Sequence, residues 1–362
     1  MTSQTHPLPT HLASKFMHLS EFNFPFDASL IATEPVLPRE QARLLVLTPR
    51  DRSITHRRIA DLPDLLTPGD LLVVNDTRVR PARVKGRNAS GRSVDVLFVK
   101  AVTDRDWEVL MKGTWRAGQV IEVAPDAQLT VLGREGGRTV VRIEGPLPVT
   151  EWFQAHGRMP LPPYIKRPPN DQDREWYQTV FAKEEGAIAA PTAGLHFTSA
   201  LLTQLAMRRV EVAKVTLHVG VGTFKPVTVD CIDEHRMEPE YVEVGAETVR
   251  AIEEAKRRKG KVVAVGTTVV RALESAASGP DTLQAYRGET SFFIKPGYRF
   301  QIVEGLLTNF HLPQTTLLML VSAFAGTEFL RQAYDEAVQM RYRFYSYGDA
   351  MLITGRQGLV GS

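Results

Sequence analysis

The side chains that could move protons or seat a polar ligand fall in a few short stretches of this chain. The densest is residues 189–227, AAPTAGLHFTSALLTQLAMRRVEVAKVTLHVGVGTFKPV. There Pro191, Thr192 and Gly194 precede His196, and His218 runs into Gly220, Gly222 and Thr223. A histidine followed by a Gly-x-Gly-Thr turn suits a ligand, because glycine admits close approach and exposes backbone N–H donors. The same pattern also fits a plain tight turn beside a core histidine. Asn309 and His311 share the loop TNFHLP, and Asp349 sits in the turn Tyr345-Ser346-Tyr347-Gly348-Asp349, where either partial burial between aromatics raises a carboxylate toward a general base or, the favoured reading from residue types alone, Gly-Asp is ordinary turn chemistry. The run VVAVGTTVVR leads a strand into Gly266, Thr267 and Thr268, whose free N–H groups at a helix start favour an anion. Arg271, one turn later, is placed either to grip a carboxylate or to face solvent. His196, His218, His235 and His311 lack the short spacings of zinc sites, and no G-x-S-x-G elbow marks a serine hydrolase.

The elements that must position these groups can be read from periodicity. Thr198 or Ser199 caps a helix through Arg209, after which alternation from Val210 to Val219 predicts a strand with Thr216 and His218 on one face. Further on, helices are expected at 246–259, 267–277, 315–325 and 328–340, with strands at 261–265 and 291–295. Between Leu71 and Ile143 the runs LLVVN, VDVLFVK, WEVLMK, QVIEV, QLTVL and TVVRI have the spacing of a small barrel or sandwich. The reading is a larger α/β domain, layered or barrel-like, from residues 18–61 and 151–362, with an all-β barrel inserted at 62–150. Residues 1–17 read as a mobile extension and the proline-rich segment 157–176 as a mobile connecting loop.

At 362 residues, 43% hydrophobic and 23% charged, the chain has the composition of a folded soluble protein. Its net charge of +3 says little about partners, whereas local clusters say more. Arg78, Arg80, Arg83, Lys85, Arg87 and Arg92 occur with no intervening acid, a pattern that suits either a phosphate backbone or a solvated face. The single cysteine, Cys231, excludes an internal disulfide and reads as a buried structural thiol in a reducing cytoplasm. No apolar run reaches membrane-spanning length.

Taken together, LLVVNDTRVRPARVKG, AAPTAGLHFT, VTLHVGVGTFKPV, VVAVGTTVVRALES, LLTNFHLPQTTLLMLVSAF and YRFYSYGDAMLI resemble the motif set of the S-adenosylmethionine:tRNA ribosyltransferase-isomerase family of queuosine biosynthesis, from about His18 to Ile353. The resemblance implies a β-barrel-like insert in an α/β domain. It implies transfer and isomerisation of the ribosyl moiety of S-adenosylmethionine onto 7-aminomethyl-7-deazaguanine at the tRNA wobble position, giving epoxyqueuosine with release of adenine and methionine. S-adenosylmethionine is then a consumed substrate and no cofactor or metal is expected. The expected partners are that tRNA and S-adenosylmethionine, with a cytoplasmic monomer and no membrane. His196, His218, His311 and Asp349 become unranked acid–base candidates. Gly266, Thr267, Thr268 and Arg271 become the seat of the methionine carboxylate. Asn75, Thr77, Arg78, Pro191, Thr192, Gly194, Gly220, Gly222, Thr223, Asn309 and Tyr347 join them as substrate contacts, and Arg78, Arg80, Arg83, Lys85 and Arg87 as tRNA contacts. Three departures stand out: Val269 where serine is usual, Ala187 where serine is frequent, and Glu238 where histidine is common. The rival expectation is a catalytically inactive tRNA-binding homologue of the same fold.

Overall fold

The computed structural model describes residues 17–355 apart from 221 and 223–226. A nine-stranded mixed sheet forms its spine, in the order Tyr286–Thr290, Glu240–Val244, Glu211–Leu217, Leu71–Asn75, Val262–Val265, Gly305–Asn309, Ala350–Thr354, Arg43–Thr48 and Ser53–Arg58. The four strands from Glu211–Leu217 to Gly305–Asn309 run parallel. Ala350–Thr354 lies antiparallel to Gly305–Asn309 and parallel to Arg43–Thr48.

Leu71–Asn75 was expected among the barrel strands and instead occupies the middle of this sheet. All five of its residues are buried. Leu71 and Val73 pack into the core on one face, Leu72 and Val74 into the core on the other. A parallel strand covered on both faces has no polar side, which is why it reads as an unbroken apolar run.

The barrel closes from six antiparallel strands, ordered Arg138–Glu144, Asp106–Met111, Ser93–Ala101, Arg83–Asn88, Val120–Ala124 and Ala127–Glu135. These strands do alternate: in Ser93–Ala101, Val94, Val96 and Phe98 point inward while Ser93, Asp95 and Lys100 are exposed. The helix Val149–His156 seals the barrel core with Trp152 and Phe153. A two-stranded parallel ribbon, Thr77–Val79 with Glu184–Ala187, joins the barrel to the sheet.

Several local expectations need correcting. The strand placed at 291–295 lies at Tyr286–Thr290, with Phe292 and Phe293 packed against the core beyond it. The proline-rich segment is pinned down: Asp173, with no exposed surface, accepts two bonds from Arg167 at 2.6 and 2.7 Å, and Leu161, Ile165 and Tyr177 are buried. Met17 packs on the main core and its carbonyl accepts from Ile232 N, so it belongs to the folded body. Cys231 is half-buried, its thiol 3.9 Å from Asp233. Among the described residues no helix is long and apolar enough to cross a membrane, and no three metal-ligating side chains gather.

Candidate active site

Ligands of open α/β sheets sit beyond the carboxyl ends of the parallel strands. Here those ends deliver Asn75, Leu217 with His218, Val265 with Gly266, and Asn309 to one edge, and the ribbon to the barrel leaves from the same edge. Asn75 stitches the edge together. Its Nδ2 donates to Leu217 O at 2.9 Å and to Thr268 Oγ1 at 3.3 Å, while its Oδ1 accepts from Thr77 N and Leu217 N.

His218 is the best-held titratable group on this edge. Its Nδ1 lies 2.8 Å from Thr77 Oγ1, and its ring stacks on Tyr241 with centroids 5.1 Å apart and planes 19° apart. The opposite nitrogen faces Gly186, where even a Cβ would come within 2.5 Å of Nε2, so the ribbon can pass the imidazole only as glycine. Burial, and after it the Arg80 cation, push the His218 pKa down. The ring is therefore neutral at physiological pH, and among the described residues Nε2 has no side-chain partner.

The turn after His218 is fixed from behind. Gly220 N donates to Glu240 Oε1 at 2.9 Å, and Glu240 Oε2 is paired with Arg271. Both side chains are 4% exposed, and Arg271 also donates to Phe292 O. This corrects the expectation that Arg271 faces solvent: Glu240 and Phe292 O hold it, while its Nη2 is buried with no hydrogen-bond partner among the described residues. Gly222 passes over Glu238, with room for a Cβ only at 3.0 Å from that side chain. Thr223 lies outside the described residues.

The helix start at Gly266 is likewise covered. Gly266 adopts φ 97°, Thr267 and Thr268 are buried, and a Cβ on Gly266 would sit 3.6 Å from Ala193. The covering piece is the short 3₁₀ turn Thr192–His196, closed by Gly194 N donating to Pro191 O. The Thr192 side chain in this turn remains half-buried.

The other acid–base candidates lie deeper. Asn309 Nδ2 donates to Tyr345 O at 3.0 Å and sits 3.2 Å from His196 Nε2. His311 Nε2 lies 3.1 Å from Thr308 Oγ1. Burial pushes His196 to about 4 and His311 to about 3. Tyr347 donates to Asp173 and packs edge-on against Tyr177. Asp349 is not the half-free base expected of its turn. Its carboxylate accepts from Arg43 N, Arg43 Nε and Arg343 N at 2.8 to 3.1 Å, and its side chain is 2% exposed. It ties the sheet's last strand to Arg43.

A stability prediction follows for the buried pair. His196 and His311 bind protons in the unfolded chain near pH 6.5 and in the folded one only near 4 and 3. Below pH 6.5 the unfolded state therefore takes up more protons, and stability falls by up to about 1.4 kcal/mol per pH unit for each group down to its folded pKa. Denaturant unfolding at pH 7.5, 6.0 and 5.0 should show this decline, and His311→Gln should flatten it. An identical slope in the variant removes His311 from the account.

A cleft of about 1070 Å³ opens between the barrel and the sheet edge. His218, Gly220 and Glu240 line it from the sheet, and Arg80, Trp107 and Arg138 from the barrel side. Arg80 lies over the Trp107 ring at 4.9 Å, its nearest carboxylate being Glu185 at 3.9 Å. Arg138 bridges the cleft, bonding Glu108 on the barrel at 3.1 Å and Glu238 at 3.3 Å. Glu238, the position that departs from histidine, thus clasps the barrel. Among the described residues, five carboxylates and four basic side chains line the cleft.

The basic run divides: Arg83, Lys85 and Arg87 alternate onto the outer face of the strand Arg83–Asn88, while Arg78 and Arg80 precede it. Arg78 is exposed beside Glu185 at 4.0 Å, Arg80 faces the cleft, and Arg83 is chelated by Asp95 at 2.7 to 3.1 Å. Lys85 and Arg87 are exposed on the barrel wall. Glu240, Tyr241, Gly186 and Arg138 were missed from sequence. Glu240 and Tyr241 alternate within the strand Glu240–Val244, but neither type signals a site until the fold sets it beside His218. Asp76 was also passed over, between Asn75 and Thr77. It is buried, accepts from Thr216 Oγ1 at 2.7 Å, and has its pKa raised by that burial.

Comparison with known proteins identifies the family. A family described as "Queuosine biosynthesis protein" matches residues 19–353. The S-adenosylmethionine:tRNA ribosyltransferase-isomerase of Xanthomonas oryzae pv. oryzae is 50% identical over 353 residues, covering 96% of this chain and 99% of that one. The protein of the same name from Aquifex aeolicus is 49% identical over 339 residues, covering 93% and 100%. The crystal structure of the S-adenosylmethionine tRNA ribosyltransferase of Thermotoga maritima superimposes with a TM-score of 0.54 at 36% identity, over 92% of this chain and all of that one. The chain belongs to the queuosine biosynthesis family, among enzymes named as S-adenosylmethionine:tRNA ribosyltransferase-isomerases.

Proposed function

We propose that this chain transfers and isomerises the ribosyl moiety of S-adenosylmethionine onto 7-aminomethyl-7-deazaguanine at the wobble position of tRNA, leaving epoxyqueuosine and releasing adenine and methionine. The observation that carries the reading is the charge-mixed cleft around a neutral, rigidly held His218. S-adenosylmethionine brings a sulfonium, an ammonium and a carboxylate. Five carboxylates beside four basic groups offer each of these charges a partner.

Two proton movements are needed: one leaves the ribosyl carbon beside the sulfonium, and one goes to the departing adenine. Of the four candidates, His218 lines the cleft. We assign it the first step, with Nδ1 held by Thr77 and Nε2 taking the proton. His196 with Asn309 and His311 with Thr308 are buried pairs outside the cleft lining, and Asp349 is a structural anchor. The methionine carboxylate goes to Arg80, whose guanidinium is only loosely paired and is steadied by Trp107. S-adenosylmethionine enters as a consumed substrate in this scheme.

The test is incubation of purified protein with S-adenosylmethionine and tRNA bearing the aminomethyl base, followed by adenine quantification and mass spectrometry of the digested nucleosides. Stoichiometric adenine and an epoxyqueuosine nucleoside are expected. Binding of the tRNA without either product would replace this reading with a binding-only homologue.

A further inference from the structure

A second cavity, about 970 Å³, lies on the barrel away from His218. Its floor is apolar, from Leu97, Leu110 and Met111, and the prolines at 160, 162 and 163 form its far wall. Trp115 stands at its side. The indole N–H donates to Lys112 O at 3.0 Å, which fixes the ring, and no other aromatic ring packs on it among the described residues.

The charges here differ from those of the cleft. Arg83, Arg92 and Lys112 line the groove against one acid, Asp95, and Asp95 is already chelated by Arg83. Arg92 and Lys112 remain exposed without an ion pair among the described residues. The cleft sets five carboxylates against four basic groups and is nearly balanced, whereas the basic rim of the groove attracts a polyanion. Ile188, a buried residue of the barrel core, lines both cavities and stands between them.

We infer that this groove seats an unpaired base of the RNA substrate on Trp115, with its flanking phosphates on Arg92 and Lys112, so that a neighbouring nucleotide reaches past Ile188 to His218. The assignment rests on the tRNA reading above. An apolar floor with one fixed indole and a basic rim is the chemistry of a single-strand stacking platform. Bases of RNA loops, unlike those of a helix, are free to be splayed onto such a ring.

The experiment measures filter binding of an anticodon stem-loop RNA to the full chain, alongside adenine release. Trp115→Ala should weaken RNA binding and raise the KM for tRNA roughly 5- to 150-fold, the range of one base–aromatic stack, with the KM for S-adenosylmethionine within about twofold. Trp115→Phe should restore most of the binding. Arg92→Ala with Lys112→Ala should make log Kd less steep in log salt by about 1.4. RNA affinity within about twofold of wild type in folded Trp115→Ala would overturn the inference, as would a lower sedimentation mass in that variant at unchanged RNA affinity, which would give the groove to a second copy of the chain. A wild-type protein that binds the stem-loop through Trp115 yet releases no adenine would refute the transferase reading while upholding this one.

Discussion

His218→Ala is expected to lower the turnover number for adenine release by about 100- to 10,000-fold, the usual worth of a positioned general base. The KM for tRNA should move little, because the imidazole lies at the sheet edge and away from the basic groove on the barrel. A pH profile separates a chemical role from a structural one. The working form is the neutral ring, and burial together with Arg80 lowers its pKa below 6.5. Activity should therefore persist as the pH falls through 6.5 and fail only at lower pH, where the ring gains its proton. The variant should lose that acid limb. Turnover within about threefold of wild type, or an unchanged acid limb in His218→Ala, would take the residue out of the chemistry. Thr77→Val offers a milder companion, since it removes the hydroxyl that orients Nδ1 and leaves the base in place.

Arg271→Ala should be the most destabilising single change near the site. It takes from the Glu240 carboxylate, 4% exposed, the Arg271 cation it is paired with, and breaking one side of a buried pair costs about 3–5 kcal/mol. The loss is expected in denaturant midpoints at pH 7.5. Activity should fall as well, because Glu240 Oε1 holds the Gly220 turn beside His218. Replacing both partners, with Arg271→Met and Glu240→Gln, should recover much of the stability, since no stranded charge remains, without restoring full activity. A single-variant loss under about 1 kcal/mol would show that water reaches Glu240 in the folded state.

The sequence is most informative where a residue's own period or cap decides its structure. The helix Ser199–Met207 begins where Thr198 was expected to cap it, its Oγ1 accepting from Leu201 N at 3.2 Å. The barrel strands announce themselves by alternation. Leu71–Asn75 does not alternate, and that difference already separates it from its supposed barrel neighbours. The histidines and Asn309 were recognisable as polar groups set in apolar runs, whereas Asn75 entered only through the family resemblance. What could not be read was partnership across the chain. Arg271 and Glu240 are 31 positions apart, and Asp349 meets Arg43 across 306. Each looked available for a ligand because the side chain that occupies it is distant in sequence. The proline-rich segment was misjudged on similar grounds, because composition suggested looseness while Arg167 and Asp173 lock it.

The place of the strand Ala350–Thr354 bears on how such a chain can be made. It lies between Gly305–Asn309 and the hairpin Arg43–Thr48/Ser53–Arg58, and it is the hairpin's one link to the rest of the sheet. A nascent chain leaves the ribosome with its first hairpin made early and nothing in the sheet to dock on. The barrel, contiguous from Arg83 to Glu144, has all its strands in hand long before. Synthesis must reach Ala350–Thr354 before the hairpin can join the sheet, so the oldest part of the polypeptide waits on one of the youngest.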